Sequence, residues 1–253
     1  MSTIAFTTRG SGRPVILLHG FPMNSTVWES FASQLSTNFE VFTPDLPGFG
    51  KSAILPVPFS ISDVAAQMLL WIDEQKIINP VVIGHSLGGY VTLAMAAKAE
   101  EKLAGIGLFH STAYADSAEK KESRTKTIEF VKKNGVLAFT SNFTQQLFAD
   151  PHHPAIVIVR EIAMQSTEEA VVGYTAAMRD RPECVNVLEQ FNKPVLLIGG
   201  TKDQGIPGAS IEEQAQVCKQ PDLHLLTQVA HMGMFEQPSE TVNLVKFFVN
   251  RCV

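Results

Sequence analysis

The sequence predicts an α/β fold: a doubly wound, parallel sheet with helices on both faces. Three observations carry this. Short, wholly apolar runs such as Val15–Leu18 and Val81–Ile83 alternate with helix-like segments through residues 1–110. Strands buried on both faces read as unbroken apolar runs rather than as an alternating pattern. The alternation stops near Ser111 and resumes after Glu183, so a helical insertion interrupts a single domain. Finally, 253 residues, 45% of them hydrophobic, suffice for one large core.

The elements follow in order. Val15–Leu18 is a strand. A helix capped by Ser25 carries Val27, Trp28, Phe31 and Leu35 at helical spacing. Phe39–Thr43 is a strand stopped by Pro44. A second helix begins near Ser60 and places Val64, Met68, Leu69, Trp71 and Ile72 on one side. Val81–Ile83 leads into Gly84-His85-Ser86-Leu87-Gly88-Gly89, followed by a helix from Tyr90. Gly105–Phe109 is the next strand. In the insertion, Phe130, Val131, Leu137, Phe139, Phe143, Leu147 and Phe148 have amphipathic spacing. Ala155–Val159 follows Pro154 and reads as helix. Ser166-Thr167-Glu168-Glu169 reads as a capping box. Strands resume with Pro194–Gly199 and Leu223–Leu226, and Ser239–Arg251 is the last helix. The predicted organisation is a core over 1–110 and 184–253 with a helical cap over 111–183.

Composition excludes several functions. Lys and Arg number 20 against 25 Asp and Glu, a net charge of −5, with no long basic run. Nucleic acid and anionic membrane surfaces are therefore not expected partners. No run of about 18 apolar residues is present to span a bilayer. The N-terminus lacks the pattern of a signal peptide. Three scattered cysteines, Cys184, Cys218 and Cys252, have no metal-ligand spacing and fit a reducing compartment. The expectation is a cytoplasmic protein with a small-molecule partner; oligomeric state is not readable.

The chemistry concentrates at Ser86. Strand, tight turn and helix expose one hydroxyl beside a helix N-terminus. A serine needs a base, an acid to orient that base, and donors for the oxyanion. Asp203 and His231 each follow a strand, and the order Ser86, Asp203, His231 suits a nucleophile elbow. Asp116, downstream of the strand ending near His110, competes for the acid role. The oxyanion donors are the N–H groups of Phe21, in His19-Gly20-Phe21-Pro22, and of Leu87. No cofactor and no metal are called for. His152 and His153 lack further ligands at suitable spacing, and Gly50-Lys51-Ser52 only imitates the end of a phosphate loop.

Five segments together resemble the α/β-hydrolase superfamily. They are His19-Gly20-Phe21-Pro22, Asp45-Leu46-Pro47-Gly48-Phe49-Gly50-Lys51-Ser52, Gly84-His85-Ser86-Leu87-Gly88-Gly89, Asp203, and His231-Met232-Gly233-Met234-Phe235-Glu236-Gln237-Pro238. The resemblance implies a central, mostly parallel eight-stranded sheet with one antiparallel strand near the N-terminus, and a helical cap. It implies Ser86 as nucleophile, His231 as base and Asp203 as acid. Carboxylesterases and enol-lactonases are among the similar members. The expected reaction is hydrolysis of a small to medium ester, thioester or lactone. The alternatives are carbon–carbon bond or enol-lactone hydrolysis by the same residues, or ligand binding without catalysis. Candidate substrate contacts are Phe21, Met23, His85, His110, Phe139, Phe143 and Met232. Arg124 could meet a carboxylate, but the alternating charges of Glu119–Arg124 read as an exposed helix face.

Overall fold

The computed structural model describes residues 4–252. Seven strands form one sheet: β1 (Phe6–Arg9), β2 (Pro14–Leu18), β3 (Glu40–Pro44), β4 (Val81–His85), β5 (Gly105–Phe109), β6 (Val195–Gly200) and β7 (Pro221–Leu226). Their order is β1-β3-β2-β4-β5-β6-β7. Only β1 runs antiparallel, against β3. The eighth strand implied by the resemblance has no counterpart among the described residues, and β1 is the sheet's edge.

Period-two alternation along the strands sorts the core into two layers. Ile16, Leu18, Val82, Ile106, Leu108, Val195 and Leu197 face one way, and pack with α2 (Ile61–Glu74), α3 (Leu87–Ala99) and α8 (Gly208–Val217). Val15, Leu17, Val81, Ile83, Leu196 and Ile198 face the other, and pack with α1 (Glu29–Leu35) and α9 (Pro238–Arg251). Each such side chain contributes about 1.5–3 kcal/mol through burial.

Helix boundaries follow local chemistry. At α2, Ser60 Oγ accepts from the Asp63 N–H while Asp63 accepts from the Ser60 N–H, a reciprocal capping box. Two predicted caps shift by a residue. Asn24, not Ser25, caps the 3-10 turn Ser25–Trp28 that leads into α1, because its side chain reaches the Thr26 N–H. Thr167 caps α6 (Glu168–Arg179) by accepting from the Ala170 N–H, without the predicted box.

Between β5 and β6 the described elements are helical: α4 (Ala118–Phe143), α5 (Ala155–Ala163), α6 and α7 (Val185–Gln190). α4 breaks at Gly135, whose φ of 81° lies in the left-handed region that favours glycine. Ala155–Val159 is helical, as its setting after Pro154 predicts. No helix among the described residues is long and apolar enough to cross a membrane.

After β2 the chain crosses to β3 on one side, then returns to β4 on the other. This reversal opens a crevice at the carboxyl ends of β2 and β4, where open α/β sheets bind ligands. The loop containing Phe21 leaves β2 there, and Ser86 leaves β4.

Candidate active site

The elbow at Ser86 is held by its surroundings. Ser86 adopts φ 50° and ψ −111°, a strained conformation for a residue with a Cβ. Its N–H donates to the Phe109 carbonyl at 3.0 Å. The Ser111 hydroxyl donates to its carbonyl at 2.7 Å. Two glycines allow the close approach of strand and helix. A Cβ on Gly84 would overlap the Gly88 carbonyl, and one on Gly88 would stand 2.5 Å from the Leu18 carbonyl oxygen.

Asp203 and His231 meet beside this elbow. Asp203 Oδ1 accepts from the Gly205 and Ile206 N–H groups, both at 2.9 Å. Its other oxygen, Oδ2, accepts from His231 Nδ1 at 2.7 Å. His110 Nδ1 lies 3.5 Å from the same oxygen. Burial opposes ionisation of Asp203. The charge of His231 and the contacts from both imidazoles outweigh it and hold the carboxyl well below the usual carboxylate range. An Nδ1–H committed to Asp203 leaves Nε2 of His231 as the acceptor. The backbone of His231 is fixed from two sides. Its N–H donates to the Leu147 carbonyl at 2.9 Å, and His85 Nε2 donates to its carbonyl at 2.8 Å.

Asp116 is placed elsewhere. It is buried and paired with Arg124 and with Arg181 Nη1, the latter at 2.8 Å. Burial again opposes its ionisation, and the two guanidiniums prevail, so its pKa is lowered.

The loop after β2 is anchored through His19. His19 Nδ1 donates to the Gly20 carbonyl at 3.0 Å, and Nε2 accepts from the Leu46 N–H at 2.9 Å. Complete burial lowers its pKa to about 4, and the Gly20 carbonyl and the Asp45 charge offset this only in part. Among the described residues no protein atom accepts from the N–H of Phe21 or of Leu87. Leu87 opens α3, where such donors are free by geometry.

Ser86, Asp203 and His231 line one cavity of about 590 Å³, within the usual range for small-molecule sites. Phe21, Phe139 and Phe143 also line it. Their rings lie 5.0–6.2 Å apart. The other four predicted contacts are not on its wall. Met23 and Met232 are buried in the layer beneath, and His85 and His110 are fully buried. His85 points at the His231 backbone, and His110 lies under Asp203 against Gly233. Adjacency to Ser86 puts His85 under the site rather than in it, and adjacency to His231 does the same to Met232. Trp28 and Tyr174 are likewise interior; the Tyr174 hydroxyl donates to the Pro47 carbonyl at 2.8 Å. Arg124, expected on an exposed face, is on the cavity wall with Lys120.

The ligating atoms of His110, Asp203 and His231 lie within 4.8 Å of one another, the one such cluster among the described residues. The His231 nitrogen in this group faces the carboxylate and donates to it, an acid–base pairing rather than a vacant coordination sphere.

The model of the alpha/beta hydrolase family matches residues 15–244. Pimeloyl-[acyl-carrier protein] methyl ester esterase of Vibrio vulnificus is 26% identical, over 99% of this chain and 100% of that protein. Lipase 3 of Moraxella sp. is 24% identical over 94% of this chain and 78% of that protein. Among solved structures, a thermophilic esterase from Thermogutta terrifontis, with malate bound, superposes at a TM-score of 0.93 with 28% identity, over 98% of this chain and 93% of that one. The enol-lactonase from Burkholderia xenovorans LB400 has a TM-score of 0.89 over 98% and 96% of the two chains; at 19% identity the likeness is one of fold.

Proposed function

Since this chain belongs to the alpha/beta hydrolase family, we propose that it is a hydrolase of small to medium carboxylic esters acting through an acyl-enzyme on Ser86. The observation that carries the reading is the 2.7 Å contact between His231 Nδ1 and Asp203 Oδ2 on the wall of the cavity that holds Ser86. The esterase and lipase relatives support the same reaction class.

In this reading Ser86 Oγ attacks the ester carbonyl while His231 Nε2 takes its proton. Asp203, held ionised, stabilises the imidazolium that forms. The free N–H groups of Phe21 and Leu87 meet the oxyanion; each such donor contributes about 3–4 kcal/mol to lowering the barrier. The C–O bond breaks, the leaving alcohol receives the proton from His231, and water repeats the sequence to release the acid. Phe21, Phe139 and Phe143 give the cavity an apolar wall for the acyl or alcohol limb. Residues 1–110 and 184–253 form the catalytic core, and 111–183 the cap that sets substrate shape. Three free thiols fit a reducing, cytoplasmic setting.

The test is steady-state hydrolysis of an aryl ester by the wild type and by Ser86→Ala. The expected loss in kcat is on the order of 10⁶-fold. Retention of activity by the variant overturns the reading. Parallel assays with an enol-lactone and a β-diketone separate ester hydrolysis from lactone and carbon–carbon bond cleavage.

A further inference from the structure

Arg124 lies on α4, yet its side chain is only 23% exposed. Its Nε donates to Asp116 Oδ2. The other oxygen of Asp116 accepts from Arg181 at 2.8 Å. Arg181 is enclosed: its guanidinium stacks 3.9 Å above the Tyr90 ring and donates to the carbonyls of Met178 at 2.7 Å and Tyr114 at 2.9 Å. Two guanidiniums therefore share one carboxylate. Among the described residues no other carboxylate is paired with either. One positive charge is left uncompensated in a largely buried cluster, an arrangement that costs free energy unless an anion meets it.

That charge has one way out. Arg124 opens into the cavity that holds Ser86 and His231. Among the described residues its Nη1 donates only to Met178 Sδ, at 3.6 Å, a weak acceptor. Its Nη2 has no protein partner among the described residues. Lys120 adds a second cation to the same wall, its ammonium held by the Gly205 carbonyl at 2.9 Å. The cavity's own carboxylate, Asp203, is committed to His231. A guanidinium edge with two N–H groups matches a carboxylate in shape and charge.

We propose that the cavity selects esters bearing a carboxylate on one limb, and that Arg124 binds that carboxylate. The proposal rests on Ser86 being the nucleophile of the same cavity. It names a half-ester of a dicarboxylic acid or an ester of a hydroxy acid as substrate class.

Two ester pairs distinguish these sources: p-nitrophenyl hemiglutarate against p-nitrophenyl pentanoate, and 3-acetoxypropanoate against propyl acetate. The readout is the ratio of kcat/KM within each pair. Wild type should favour the charged member of at least one pair. Arg124→Gln should lower that ratio roughly tenfold to a hundredfold, the worth of a charged hydrogen bond. Arg124→Lys, which keeps charge without the fork, should fall between. Asp116 keeps Arg181 in these variants, so no buried carboxylate is stranded. A wild-type ratio near one in both pairs, or a ratio unmoved by Arg124→Gln, overturns the proposal. Calorimetric titration of Ser86→Ala with glutarate gives a readout independent of turnover. Affinity should weaken by a similar factor on adding Arg124→Gln, and equal affinities overturn the carboxylate site. Ser86-dependent hydrolysis without charge preference removes this proposal alone. Hydrolysis that survives Ser86→Ala removes the nucleophile reading, and the glutarate titration still decides Arg124.

Discussion

Acidification from about pH 7 to about pH 5 should remove about 2 kcal/mol of stability through His19 alone. The imidazole is fully buried. Its Nε2 accepts from the Leu46 N–H, so a proton there would set donor against donor. Its pKa falls from 6.5 to about 4 in the fold. Across that window the unfolded chain binds a proton that the native state refuses. The contribution is therefore complete above 6.5 and is lost as pH falls toward 4. His85 and His110, buried and also lowered, add to the loss with the same sign. The assay is urea unfolding at both pH values, with the midpoint moving and the m-value unchanged. His19→Gln, which retains an acceptor for Leu46 but cannot ionise, should flatten the pH dependence by about 2 kcal/mol. A wild type equally stable at both pH values, or a variant with the wild-type slope, would show that His19 does not carry this pH dependence. Because His19 anchors the loop that carries Phe21, ester hydrolysis should decline with it.

Three further substitutions probe the site. Asp203→Asn should lower kcat about 10⁴-fold by disturbing the His231 tautomer. Asp116→Asn should instead cost about 3–5 kcal/mol in urea unfolding, because it leaves two buried guanidiniums facing a neutral amide, with a far smaller loss of kcat. The reverse ranking would give Asp116 the acid role. Gly20→Ala puts a Cβ against the His85 ring, 2.9 Å from Cε1. His85 is tied to the His231 backbone, so the loop must give way, and kcat should fall by up to 10²–10³-fold, the cost of one lost oxyanion donor. Unchanged kcat would mean that the Phe21 N–H is not that donor.

The inner strands were legible because β2, β4, β5 and β6 are buried apolar runs. β1 was not legible from its own residues. Phe6-Thr7-Thr8-Arg9 is a half-exposed edge that among the described residues pairs with β3 alone. The break at Gly135 was also hidden, since the spacing of Val131 and Phe139 continues on either side of it. Arg124 shows the limit most clearly. Its charged neighbours describe a solvated helix face, and Glu122 does pair with Lys126 in that way. The residue that turns Arg124 inward is Asp116, in the loop that follows β5, and no local pattern announces the pairing. Pocket residues beside catalytic motifs failed for a geometric reason. Met23 and Met232 turn into the layer below the site and His85 points at the His231 backbone, whereas Phe139 and Phe143 reach the cavity from a helix far along the chain.

Whether Ser86 is the nucleophile activated by His231 is read out by reaction with a fluorophosphonate followed by peptide mass spectrometry. A single phosphonyl adduct on Ser86 is expected in the wild type, with loss of labelling in Ser86→Ala and in a folded His231→Ala. An adduct on any other residue, or undiminished labelling of Ser86 without His231, would contradict that assignment.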